Sequence, residues 1–471
     1  TSGSATGGPG GAGGAGGANN GGSAGGASSG NGGDGSVWTD TIDSSTGGAG
    51  GGGGGGDGAT TGVGTAGGLP GNHGAGGGAG GGGDNASAGG AGKDGRQGVI
   101  AVTYTSTGMS VSGTTDAANG TTVKVAVNSS VQAQSTTVSA GAWTITGVTV
   151  PLVNDIITVW LDGVADASES TGITKYSFGN VTGMDLTSSR LAIGSNQNTS
   201  LTITNLGQYD FDDDEDVMHT SNSGTLLVQG GTNSYTAEFV YIDTGETLTV
   251  STGESVTSEG IRVLGSLVSS GTATYTVTGT SGNLFYNQGT WIQSTSTFNV
   301  TSASGSPTLL THPTTFHKLT INATATVINA GQAITMSSAD ASNKLYVQAG
   351  VLNDAGNTIV GTANGTLEVA SGAALCVSGA NGATNATCDS SATPTTASTF
   401  PTNYTNGNIT LGTTSTIYYN ADAAQTISST PTYGNLYLKP TITSGRTFTA
   451  GGALTINGDF TINPTAASAL A

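Results

Sequence analysis

The feature that most constrains this chain is an internal repeat at an offset close to 119 residues. Five matches follow one another in the same order: TLLVQGG (225–231) with KLYVQAG (344–350), TLTVSTG (247–253) with TLEVASG (366–372), NQGTWIQSTSTF (287–298) with NGNITLGTTSTI (406–417), PTTFHKLTI (313–321) with PTYGNLYL (431–438), and INAGQAITM (328–336) with FTAGGALTI (448–456). Ordered matches at one offset indicate duplication rather than biased composition. The sequence therefore predicts two copies of one unit, residues 225–343 and 344–471. Residues 172–224 are a candidate for a third, decayed copy that precedes them.

Short runs with a β-strand pattern fill both units and are separated by single Gly, Asn or Ser-Gly corners. The segments GTLEVASGAALCVSG (365–379) and LTINGDFTIN (454–463) alternate apolar and polar residues, as half-buried strands do. Corners this short leave little room for hairpins and suit the stacked rungs of a parallel β-solenoid. The predicted fold class is all-β with parallel β-solenoid repeats. Tandem β-sandwiches are the alternative, because a 119-residue period also suits one sandwich per unit.

Residues 1–98 are a glycine-rich segment that holds more than half of the 83 glycines in the chain. The opening tract, GGPGGAGGAGGA (7–18), has a period of three, which is the period of the polyproline II helix. A bundle of polyglycine II-like helices would pair backbone with backbone and so order the glycines. A flexible linker is the other reading of the same composition.

Residues 99–171 have a different sequence pattern. Alternating runs typical of β-strands, such as TVKVAV (122–127) and IITVWLDG (156–163), lie between Asn-Gly and Asn-Asp turn signals. This segment resembles the immunoglobulin-like (Ig-like) modules that are strung along bacterial surface proteins. The resemblance implies a small Ig-like β-sandwich, with Trp143 and Trp160 in its core and a spacing role. Residues 172–224 form a further β-rich region that contains an Asp-rich loop.

Two other stretches carry resemblances. The glycine-rich block that runs into GVIAVTYT (98–105) resembles the glycine-rich domains of phage tail fibres and of large bacterial surface proteins. The repeat pattern that ends in GGALTINGDFTI (451–462) resembles solenoid repeats of very large adhesin-like surface proteins of bacteria. These resemblances imply an extracellular or cell-surface protein that contacts copies of itself or surface glycans.

Charge narrows the set of partners. The chain has 10 Lys and Arg against 29 Asp and Glu, a net charge of −19, and no basic patch, so we expect no nucleic-acid partner. No apolar run approaches the roughly 20 residues of a membrane-spanning helix, so we expect no membrane span. Aromatic residues are only 6% of the chain and do not cluster along it, which argues against an aromatic binding row.

The acidic run YDFDDDEDVMH (209–219) is the one dense cluster of charge. In an extended conformation Asp210, Asp212, Asp214 and Asp216 would share one face and repel one another unless a cation lay among them. Carboxylate oxygens are ligands that Ca²⁺ prefers, so calcium is the candidate cofactor. The alternative is a solvated acidic loop. No other cofactor and no catalytic residue is predicted.

The two cysteines, Cys376 and Cys388, flank the loop VSGANGATNAT. A disulfide across a loop of this length would stabilise the fold by roughly 3 kcal/mol on the chain-entropy model. Such bonds persist in oxidising, extracellular compartments. We therefore expect this disulfide, with two buried free thiols as the alternative.

The functional prediction is a non-enzymatic extracellular structural protein, a subunit of a cell-surface fibre or filament whose glycine-rich segment mediates packing of copies. An adhesin or phage tail-fibre receptor-binding protein is the alternative. A solenoid polysaccharide hydrolase or lyase is a third reading, which requires a pair of facing carboxylates in a groove. Sparse acids in the solenoid, among them Asp243, Glu246, Asp354 and Glu368, argue against it.

Overall fold

The computed structural model of this chain describes residue 91 and residues 108–228, 239–337, 340–388, 397–438 and 447–463. The chain divides into two units, Thr1–Ser106 and Thr107–Ala471, and the described residues other than Ala91 belong to the second. The polyglycine II prediction for residues 1–98 therefore lies outside the described residues, apart from Ala91.

The described part of the chain is all-β, with 49% of residues in strands and 3% in helices. In chain order, β1 to β9 are Met109–Thr114, Thr122–Val127, Ser130–Thr137, Ala142–Val148, Ile156–Asp162, Ser170–Lys175, Arg190–Ile193, Ser200–Thr202 and His219–Asn222. Strands β10 to β21 are Thr225–Val228, Phe239–Ile242, Thr247–Val250, Ser255–Ser258, Gly260–Val263, Ser266–Ser269, Thr274–Val277, Asn283–Asn287, Thr290–Ile292, Thr297–Val300, Thr308–Leu310 and Thr314–Phe316. Strands β22 to β35 are Lys318–Asn329, Ile334–Met336, Lys344–Asn353, Ile359–Val360, Thr366–Val369, Ala374–Val377, Ile409–Leu411, Thr416–Tyr419, Gln425–Ile427, Thr432–Tyr433, Asn435–Leu438, Phe448–Ala450, Thr455–Ile456 and Phe460–Ile462. The helix α1 is Ile203–Leu206, and two 3-10 turns are Asp166–Ser168 and Asn406–Asn408.

From β7 onward the chain winds into a parallel β-solenoid of about 11 turns, as the close spacing of corners predicts. Most turns contribute one strand to each of three faces. Face one contains β7, β11, β14, β17, β20, β27, β29, β32, β35 and the second halves of β22 and β24. Face two contains β8, β12, β15 and β18, then β21, β23 and β25, then β30 and β33. Face three begins with β10, β13, β16 and β19, continues through the first halves of β22 and β24 to β26 and β28, and ends with the pair β31 and β34. The tandem-sandwich alternative is therefore wrong for this region, because its strands, apart from β9, pair in parallel with their counterparts one turn away.

The solenoid is held together by apolar side chains that point inward at every second position. Along face three, Val256 pairs with Tyr275, Tyr275 with Phe298 and Phe298 with Leu319, and all four are at most 1% exposed. Parallel stacking in register places these inward residues directly above one another, so the interior is one continuous column. Burial of this column is the main stabilising contribution, at roughly 25 cal/mol per Å² of apolar surface.

Two corners show how glycine permits the sharp change of direction. Gly253 follows β12 with φ of 82° and Gly372 follows β26 with φ of 83°, and both are in the left-handed region that other residues rarely adopt. They end the matched segments TLTVSTG and TLEVASG, so the predicted role of glycine at these corners is confirmed at both positions.

The shorter rung, and not the 119-residue unit, is the structural repeat of the solenoid. Ile261 pairs with Phe285 and Phe285 with Leu310, 24 and 25 residues apart. The matched segments do not all occupy equivalent places, since Thr247–Val250 lies in face two and Thr366–Val369 in face three. An alternating run followed by a glycine corner is compatible with all three faces of the solenoid. Sequence similarity between two segments therefore does not determine which face each segment occupies.

The N-terminal end of the solenoid is covered by two antiparallel sheets that share a separate core. Strand β1 pairs with β4, while β3, β2, β5 and β6 form the second sheet. The second sheet joins the solenoid directly, because β6 pairs in parallel with β7. Trp143 lies in the core of this region, and Trp160 lies in a small cluster on the other side of β5. The Ig-like interpretation of residues 99–171 stays a prediction.

Candidate functional site

The predicted calcium ligands lie in the loop between α1 and β9, and the structure separates them. Asp210 is buried and turned inward, where its carboxylate accepts hydrogen bonds from the backbone N–H groups of Asp212 (3.0 Å) and Ser221 (2.8 Å). Asp214 and Asp216 point instead toward Asp162 at the end of β5. One carboxylate oxygen from each of these three residues lies within 4.8 Å of the others. We call this group the acidic cluster.

The acidic cluster already has partial compensation from its neighbours. The ammonium of Lys124 lies 2.6 Å from Oδ1 of Asp162, and the backbone N–H of Gly163 donates to Oδ2 of Asp216 at 2.9 Å. Burial raises the pKa of Asp216, and the carboxylates of Asp214 and Asp162 raise it further. Lys124 and Asp162 were not among the predicted residues because they lie on β2 and β5, far from the acidic run in sequence.

Calcium binding at the acidic cluster is expected to stabilise the fold. A cation that binds only the folded state would, at ten times its dissociation constant, raise the free energy of unfolding by about 1.4 kcal/mol. Differential scanning calorimetry with and without CaCl₂ measures this shift. In D216N the shift should be lost, whereas in D212N, outside the cluster, it should persist. An equal shift in both variants would mean that calcium acts elsewhere.

A disulfide joins Cys376 on face one to Cys388, with the Cα atoms 6.3 Å apart. Both residues are at most 1% exposed and pack with Val327, Val351 and Ala374. The bond fastens the loop after β27 to the outer side of face one.

The outer side of face one, near its N-terminal end, carries a row of arginine and aromatic side chains. We call Arg190, Phe239, Tyr241, Arg262 and Tyr286 the arginine–aromatic row; they come from four successive strands, β7, β11, β14 and β17. The register pairs Phe239 with Arg190, and Tyr241 with Arg262, which pairs in turn with Tyr286. Alternation along the strands explains why these side chains point outward while Val240, Ile261 and Phe285 point inward.

Stacking holds both guanidinium groups in place. The Arg262 guanidinium carbon lies 4.3 Å from the centre of the Tyr286 ring and 5.6 Å from that of Tyr241. The Arg190 guanidinium carbon lies 5.3 Å from the centre of the Tyr241 ring. Cation–π contacts of this kind contribute about 0.5–1 kcal/mol at exposed sites and more when desolvated. Burial raises the pKa of the Tyr241 hydroxyl, Asp243 adds to this, and Arg262 and Arg190 oppose it.

The arginine–aromatic row borders a depression of about 140 Å³, which Ile261 and Asn283 also line. The row continues to His312, whose ring meets Tyr286 edge-on at 5.3 Å and whose Nε2 lies 3.4 Å from Nε2 of Gln288. Aromatic residues that do not cluster along the sequence therefore do form a row on this face. Residues that are dispersed along the sequence become neighbours because the solenoid brings every turn back to the same face.

No family model, curated protein or solved structure matches this chain. In the part of the chain that the structure describes, no helix has both the length and the apolar character needed to span a membrane.

Proposed function

We propose that this chain is a non-enzymatic extracellular structural protein, a subunit of a cell-surface fibre or filament. The observation that carries the proposal is the parallel solenoid of about 11 turns with a continuous apolar interior. At about 4.8 Å per turn, such a stack extends about 50 Å along its axis. Repeated nearest-neighbour packing gives a stiff element without requiring a large single core.

The proposal includes end-to-end contacts between copies. Open strand edges and exposed apolar side chains favour pairing with another chain. Contacts of this heterologous kind, if they do not close into a ring, produce filaments. Residues 1–98 would add lateral packing of copies through backbone pairing, and residues 99–171 would act as an Ig-like spacer.

Several solenoid acids have structural partners, which favours the non-enzymatic proposal over a hydrolase. The carboxylate of Glu246 accepts hydrogen bonds from Ser195 Oγ (3.0 Å) and Thr199 N (2.8 Å). Glu368 forms an ion pair of 2.5 Å with Lys344. Both acids therefore hold neighbouring turns together.

Deletion of residues 1–98 is expected to abolish filament formation. Electron microscopy of the full chain should show regular filaments, whereas the truncated chain should give separate rods. A second variant keeps the length of residues 1–98 but has every second glycine changed to serine, which obstructs backbone packing. This variant should also give separate rods. If the full chain stays monomeric or closes into small rings, or if the truncation and the serine variant assemble normally, the proposed role of the glycine-rich segment is wrong.

A further inference from the structure

The arginine–aromatic row presents two cationic groups on the surface of a strongly acidic protein. The chain contains only 10 Lys and Arg in total, yet Arg190 and Arg262 lie on either side of the same tyrosine ring. Among the described residues, neither guanidinium takes part in a salt bridge, and Nε of Arg262 is buried without a hydrogen-bond partner. A guanidinium that is fixed by stacking and retains free donors is suited to bidentate capture of a carboxylate or sulfate.

The aromatic members of the row add flat apolar faces to this charge. Tyr241 and Tyr286 lie two turns apart, about 10 Å along face one. Phe239 lies over the backbone of Gly260, where a Cβ would come within 2.4 Å of its ring. The row therefore combines apolar faces, the tyrosine hydroxyls and the amide of Asn283 around one depression. Amphipathic aromatic surfaces of this kind suit a ligand that has both an apolar face and many hydroxyl groups.

We propose that the arginine–aromatic row binds an acidic saccharide, with the carboxylate of a uronic acid unit on Arg262 or Arg190 and the C–H face of a pyranose ring against Tyr286. The depression of about 140 Å³ accommodates part of one sugar unit, and adjacent units extend along the row toward His312.

A peptide strand is a poorer fit for this surface. Strand β11 is paired on both sides, with β7 and β14, so this part of face one has no free edge for an added strand. A nucleic acid is a poorer fit because its affinity comes mainly from neutralising several phosphates, and the row offers only the two guanidinium groups of Arg190 and Arg262. An acidic saccharide matches both the local charge and the alternation of apolar and polar groups.

Calorimetric titration of the full chain with trigalacturonic acid, and with its fully methyl-esterified form, tests the proposal. The acid should bind and the ester, which keeps the same sugar backbone without charge, should bind at least ten-fold more weakly. Loss of a charge-assisted bidentate contact predicts ten- to hundred-fold weaker binding in R262Q. R262K, which keeps the charge but loses the planar fork, should show an intermediate loss, and Y286A should also weaken binding.

The matched control is K318Q, which removes one positive charge from face three and should change binding by less than two-fold. Circular dichroism of each variant verifies that the solenoid is folded. Equal binding of acid and ester, or undiminished binding by folded R262Q, would overturn the proposal. Tighter binding of an oligothymidylate than of the trisaccharide would overturn it in favour of a single-stranded nucleic acid. The proposed fibre role is separate, since binding should be the same with residues 1–98 deleted.

Discussion

Replacing Phe298 by alanine is expected to lower the free energy of unfolding by about 3 to 5 kcal/mol, which is typical of a large aromatic side chain removed from a packed interior. Phe298 is 1% exposed on β19. Its ring centre lies 5.0 Å from that of Phe285 on face one and 5.2 Å from that of Phe316 on face two, so the substitution removes contacts from face three to both other faces at once. The substitution should also destabilise the turns on either side, because each turn of a solenoid is stabilised mainly by its contacts with its neighbours.

Guanidinium denaturation followed by circular dichroism measures this loss, with the slope of the transition checked for a change in cooperativity. The matched control is F178A, because Phe178 is 63% exposed and its removal leaves no interior cavity. The control should change stability by less than about 0.5 kcal/mol, as is usual for surface substitutions. Similar midpoints for F298A and F178A would show that the aromatic residues do not stabilise the solenoid.

The class of fold could be predicted from sequence because its signals are local. Strands such as TLTV and TLEV alternate, and the glycines that follow them, Gly253 and Gly372, mark corners too short for hairpins. Which face a run occupies could not be predicted, because all three faces require the same alternation. The number of solenoid turns between two matched segments could not be predicted either, because it depends on the number of residues in each corner, and the corners vary in length.

The candidate sites show the same limit more sharply. Asp214 and Asp216 were predicted from the acidic run, but Asp162 and Lys124 join them from strands that only the fold brings near. No single segment of the sequence contains more than two residues of the arginine–aromatic row. Recognising that row requires the register that pairs Tyr241 with Arg262 and Arg262 with Tyr286. Sites made by stacking one residue per turn leave no contiguous motif.

Asp354 is a buried acid that neither the repeat nor the acidic run indicated as special. It follows β24 at a corner and is 1% exposed. Its Oδ1 accepts hydrogen bonds from the backbone N–H groups of Ser378 (2.7 Å) and Gly356 (2.9 Å), and its Oδ2 accepts one from Ser398 Oγ (2.6 Å). Burial nevertheless raises the pKa of Asp354 from 3.8 to about 7, because these donors only partly replace the lost solvation.

The raised pKa makes stability depend on pH in a defined direction. The folded state holds the proton more tightly than the unfolded state, so the contribution of Asp354 to stability is fully present below about pH 4. It is lost as the pH rises through the window from about 4 to about 7. A shift of this size corresponds to a change on the order of 4 kcal/mol across that window.

D354N is expected to remove this dependence, because an amide stays neutral at every pH. Its oxygen can still accept from Ser378 and Gly356, while its NH₂ group can donate to Ser398 Oγ. Denaturation midpoints measured from pH 4 to pH 8 should therefore fall more steeply for the wild type than for D354N. The difference between the two curves isolates Asp354 from other acids that titrate in the same range, Glu246 and Asp216 among them, whose pKa values are also raised by burial. D459N, which neutralises an exposed acid on the last turn, should leave the wild-type slope nearly unchanged. Parallel curves for the wild type and D354N would mean that Asp354 ionises in the folded protein as readily as in the unfolded chain, and that the donors around it fully compensate its burial.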